Sequence, residues 1–87
     1  MNIYLITYDL NSPGQNHAKV LEKVKQFEWA KLSESSYAVK TNNSAAQIYS
    51  LFSSLLDKND NFYIIHLTKD FSGQGPNDVN EWLGKNL

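Results

Sequence analysis

Eighty-seven residues suffice for one domain, and 41% hydrophobic with 20% charged residues is the balance of a chain that folds around a core. The absence of cysteine excludes a disulfide framework, a thiolate metal site and a cysteine nucleophile. Net charge is −1 and all eight basic residues are lysines, so the planar fork that grips guanine or phosphate through two parallel hydrogen bonds is missing, and sequence-specific duplex reading is disfavoured.

Asn2 to Tyr8 is rich in β-branched and aromatic residues and predicts a strand. Asp9-Leu10-Asn11-Ser12-Pro13-Gly14-Gln15-Asn16 gathers turn formers and predicts a loop. From Asn16, a capping residue, Val20, Leu21, Val24 and Phe27 recur on one helical face, with Lys19, Glu22, Lys23 and Lys25 on the remaining surface. Glu28–Leu32 and Ser35–Lys40 are short strand candidates joined at Ser33-Glu34, and Thr41-Asn42-Asn43 makes the next turn. Ser44-Ala45-Ala46-Gln47 fits a capping box, and Ile48, Leu51, Phe52, Leu55 and Leu56 follow at helical spacing. Asp57 to Asp60 closes that helix, and Phe62 to Leu67 is an apolar strand. A polar loop from Asp70 to Gly75 then leads to a helix opened by Pro76 and Asn77, with Val79, Trp82, Leu83 and Leu87 on its apolar side.

This order predicts an α+β fold, a single ferredoxin-like βαββαβ sandwich over residues 1–87 with an extra C-terminal helix. In such a fold both long helices cover one sheet face, and each strand should alternate apolar and polar residues. The first strand breaks that rule, with Ile3 and Leu5 on one side and Tyr4, Ile6 and Tyr8 on the other. The last strand repeats the violation, setting Phe62 and Ile64 against Tyr63, Ile65 and Leu67. A second apolar face needs cover. The expectation is a homodimer packed sheet against sheet, with the C-terminal segment reaching across; the alternative is that the C-terminal helix folds back over its own sheet. No apolar run approaches the roughly 18 residues of a membrane span, and the first segment lacks a basic leader, so the expected location is cytoplasmic, away from membranes.

Asp9 follows the first strand directly, at the lip of the sheet. In a two-fold dimer two such carboxylates can approach, and paired carboxylates suit a hard cation such as Mg2+; the competing role is an Asx-turn residue starting the loop. His17 and His66 are the groups that titrate near neutrality, with His17 at the opening of the first helix and His66 beside Phe62 and Ile64 in strand phase. Ser12, Ser35 and Ser36 lack a nucleophile context. Gly73-Gln74-Gly75 is a weak phosphate-loop match that reads better as a connection. Trp29, Tyr37, Phe71 and Trp82 offer stacking surfaces to bases, although such spacing more often marks core.

The opening Ile3-Tyr4-Leu5-Ile6-Thr7-Tyr8-Asp9-Leu10 resembles the strand-ending tyrosine–aspartate of the small CRISPR-associated Cas-two proteins and the related virulence-associated protein D toxins. The nearer likeness is to an uncharacterised SinR-like branch, through Tyr8-Asp9-Leu10-Asn11 with Pro13-Gly14-Gln15, Val39-Lys40-Thr41, Leu56-Asp57 before Asp60, and Trp82-Leu83. The resemblance implies a ferredoxin-like homodimer with metal-dependent endoribonuclease activity. Asp9 would be the Mg2+ ligand, His17 would assist proton transfer, and single-stranded RNA or another nucleic acid would be the partner. The arginines that usually follow that aspartate are replaced here by Gln15, Asn16 and His17, which leaves a non-catalytic dimeric adaptor for protein or nucleic acid as the second expectation.

Overall fold

The apolar opening segment becomes an inner strand of the sheet. The computed structural model describes residues 1–11 and 15–87, and in it β1 (Asn2–Asp9) is hydrogen-bonded to a strand on either side. The remaining elements are α1 (Gln15–Val24), β2 (Glu28–Ser33), β3 (Ser36–Thr41), α2 (Ala45–Phe52) with a single 3-10 turn at Ser53–Leu55, β4 (Asn61–Leu67) and α3 (Asn77–Asn86). The four strands form one antiparallel sheet in the order β2-β3-β1-β4, so the fold is a small α+β domain with three helices. Of the predicted first loop, Ser12, Pro13 and Gly14 lie outside the described residues.

Register places every side chain on a known face. Ile6 stands opposite Tyr37 on β3 and Ile64 on β4, and Tyr4 stands opposite Val39 and His66. On this first face α1 contributes Val20 and Val24 and α2 contributes Ile48 and Phe52; with Ile6 and Val39 all are fully buried. Burying a side chain of this size is worth about 1.5–3 kcal/mol, so this face supplies most of the hydrophobic stabilisation. α2 begins where the sequence pattern predicts. The Ser44 hydroxyl accepts from the Gln47 amide at 3.1 Å, and the Gln47 side chain accepts from the Ser44 amide at 2.8 Å, so two otherwise unbonded donors of the first turn are satisfied.

Three local expectations shift. The hairpin turn is Glu34-Ser35 rather than Ser33-Glu34, because an irregular register between Lys31 and Ser33 carries β2 one residue further. α1 stops at Val24, and Phe27 reaches the same core from the following turn, where its amide donates to the Val24 carbonyl at 3.1 Å. Leu51 is 42% exposed: α2 buries the Ile48–Phe52 row and then tightens into the 3-10 turn, leaving Leu51 on the margin.

On the second face lie Ile3, Leu5, Ala38, Ala30, Tyr63, Ile65 and Leu67. Here α3 of the same chain folds back as far as β2, and Leu83, Val79, Trp82 and Leu87 pack against Ile3, Ala38 and Leu67. Lys40 anchors its end by donating to the Asn86 side chain at 3.0 Å. The ground expected for a second sheet is therefore held in part by the chain's own helix. Coverage reaches the Leu67 end of β4 and stops short of its middle, where Tyr63 is 62% and Ile65 49% exposed.

Candidate functional site

Strand alternation decides how the residues around the β1 lip are arranged. Tyr8 points into the first face, so Asp9 points to the opposite side, where its carboxylate is exposed. His17, on α1, belongs to the first face and packs edge-on to the Tyr8 ring at 5.7 Å between centroids. The two residues that the sequence singles out for metal binding and proton transfer thus lie on opposite sides of the sheet. Among the described residues neither hydrogen bond nor ion pair joins them, and no group of three or more His, Asp or Glu side chains is suitably placed to hold a metal ion. Mg2+ needs only one or two protein carboxylates when substrate phosphates complete its shell. Asp9 supplies one such carboxylate, and a site with two would draw the other from the Asp9 of a second copy.

The acid that organises this end of the sheet is Asp60, whose place after the second helix predicts a helix-closing turn. One of its carboxylate oxygens accepts from the Asn11 amide at 2.7 Å and the other from the Asp57 amide at 2.8 Å. The loop leaving β1 is thereby tied to the turn entering β4. The available signal was its place in Asp57-Lys58-Asn59-Asp60, a spacing at which an aspartate closes its own turn.

Burial sets the Tyr8 phenol apart. Its ring stacks on Phe62 at 5.9 Å, and its hydroxyl is buried without a hydrogen-bond partner among the described residues. Burial, then the nearby Tyr37 and Glu34, pushes its pKa up to about 12. A phenol so held neither donates nor ionises at neutral pH. His66 lies exposed with its ring against Tyr4 at 5.3 Å, and Ser36 shares a hydrogen bond with Thr7 at 2.8 Å, so both are engaged within the sheet.

The features expected to meet nucleic acid are dispersed. Lys31 pairs with Glu34 at 3.3 Å, Lys40 lies 3.9 Å from Glu28, Lys23 donates to the Leu51 carbonyl, and Lys25 sits over the Trp29 ring at 5.2 Å. Tyr37 is buried in the first face, Trp82 packs in the second, and Phe71 stands on the loop before α3, so these aromatics make no common platform. Between the second face, residues 68–76 and α3 lies a half-open cavity of about 340 Å3 lined by Leu5, Leu67, Phe71, Val79, Leu83 and Leu87. Gly73-Gln74-Gly75 forms part of this mainly apolar wall, which is no cradle for a phosphate.

No helix among the described residues is long and apolar enough to cross a membrane. Compared with known proteins, the chain matches no family model and no curated protein.

Proposed function

We propose that this chain is a non-catalytic binding module of ferredoxin-like fold that works as a homodimer and recognises protein rather than nucleic acid. The βαββαβ order followed by α3, and a strand order that reads 4-1-3-2 from the β4 edge, support the ferredoxin-like reading. One observation carries the functional reading: the second face keeps Leu32, Tyr63 and Ile65 exposed beside a cavity lined in part by Phe71, while Asp9 and His17 lie on opposite sides of the sheet. Exposed apolar ground of this kind marks protein interaction sites. Lys31 and Lys40 are held in ion pairs, which weakens their hold on a phosphate backbone.

The alternative, a Mg2+-dependent endoribonuclease of the Cas-two kind, draws support from the exposed Asp9 carboxylate, which has no hydrogen-bond or ion-pair partner among the described residues. One assay separates the two. Wild type and Asp9→Ala are incubated with single-stranded RNA and Mg2+, and the solution mass of both is measured. The module reading expects a dimer and no cleavage that depends on Asp9. RNA cleavage by the wild type that disappears in Asp9→Ala overturns it.

A further inference from the structure

The two edges of the sheet are built differently. β2 presents Glu28 and Lys31, carries an irregular register, and has α3 against it. Charge and bulges of this sort stop one sheet edge from pairing with another. β4 has none of these defences. Asn61-Phe62-Tyr63-Ile64-Ile65-His66-Leu67 contains no Asp, Glu, Lys, Arg or Pro, pairs with β1 in unbroken register, and is bonded on one side only. Its outer backbone groups have no protein partner among the described residues. Apolar side chains flank that edge on both faces, with Tyr63 and Ile65 on one and Phe62, against Tyr49, on the other.

We infer that β4 pairs antiparallel with β4 of a second copy across a two-fold axis at Ile64, joining two sheets into one of eight strands. This rests on the homodimer reading and specifies its interface. The strand is self-complementary in that register: Tyr63 comes opposite Ile65, so the two most exposed apolar side chains of β4 meet their counterparts twice. Charge agrees. Residues 61–67 carry no Asp, Glu, Lys or Arg, so no like charges are opposed within the paired strands. Only main-chain bonding and one apolar row on each face are required, which α3 leaves clear. The same geometry holds the two Asp9 carboxylates apart by three strand spacings, roughly 14 Å, and by about six residues along the strands, roughly 20 Å. An edge-paired dimer does not assemble a two-carboxylate cation site.

The natural lack of cysteine makes the test clean. Tyr63→Cys and Ile65→Cys are prepared separately, mixed and mildly oxidised. Directly opposed residues bring Cα atoms to about 4.5–5.5 Å, within reach of a disulfide, whereas 63 to 63 or 65 to 65 spans roughly 8 Å and is out of reach. The mixture is expected to cross-link at least about tenfold faster than either variant alone. Both positions are exposed, and circular dichroism reports whether the variants keep the fold. Amide exchange on the wild type provides a second readout, with outward-facing amides of residues 61–67 becoming protected as concentration rises. A dimer by mass without mixed cross-links or β4 protection overturns the edge pairing and leaves the homodimer standing. A chain monomeric throughout the micromolar range, its β4 left to a strand of some other protein, overturns both.

Discussion

The two faces of the sheet use the same strands and reach different degrees of closure. The first is sealed by two helices, and Ile6, Val20, Val24, Val39, Ile48 and Phe52 have no exposure. The second has one helix, and its best-buried helical residue, Leu83, keeps 8%. Beyond α3 the face opens into a cavity and then into bare Tyr63 and Ile65. The contrast teaches that stability and recognition are divided between the faces. The sealed face leaves apolar ground only at its margins, such as Tyr49 and Leu51, and a half-covered one loses less when a contact is removed.

The comparison is tested most severely at Phe52. Its ring packs at 5.1 Å from Phe62 and is wholly buried, so Phe52→Ala removes a large apolar volume from a site walled by β4 and both long helices. The expected cost is about 3–5 kcal/mol, measured by urea unfolding, which is a large share of the roughly 5–15 kcal/mol that holds a domain of this kind folded. Leu83→Ala on the second face should cost about 2–3 kcal/mol, because neighbours beside an open cavity relax into the space more readily. It should also increase the binding of a hydrophobic dye. Equal costs at the two positions would show that α3 belongs to the same cooperative core, and the division between faces would be lost.

The sealed face was the more legible in the sequence, for a physical reason. Helical spacing in Ile48–Phe52 and Val20–Val24, together with the capping box at Ser44, is local information, and a chain that satisfies it has few alternatives. The double-sided apolar pattern of β1 and β4 also correctly announced a second covered face. What covers it depends on where the Asp70–Gly75 connection delivers the last helix, and no periodicity records that. Asp70 takes φ 79°, a left-handed conformation that aspartate tolerates better than most side chains, at the point where the chain leaves β4 and turns toward α3. The candidate site shows the same limit. Tyr8-Asp9 was visible as a motif, but alternation sends its members to opposite faces, and the role of Asp60 lies in contacts to Asn11, 49 residues away in sequence.

The smallest expected effect concerns the Tyr8 hydroxyl, sealed into the first face without a hydrogen-bond partner among the described residues. The Tyr8 hydroxyl was removed from water on folding and gained no bond in return, so Tyr8→Phe should leave stability at neutral pH unchanged or slightly higher, by no more than about 1 kcal/mol. Alkaline pH sharpens the test. The unfolded chain releases this proton near the ordinary value of 10.0, whereas the folded chain holds it until about 12. Below pH 10 both states keep the proton and the group contributes no pH dependence. Between 10 and 12 the folded state binds more protons than the unfolded one, so stability falls as pH rises. Tyr8→Phe should remove that part of the decline, read as the change in urea midpoint across the alkaline range. A decline that persists unchanged in the variant would mean that Tyr8 ionises as readily folded as unfolded. Water would then be reaching its hydroxyl, and the face with two helices would be no better sealed than the face with one.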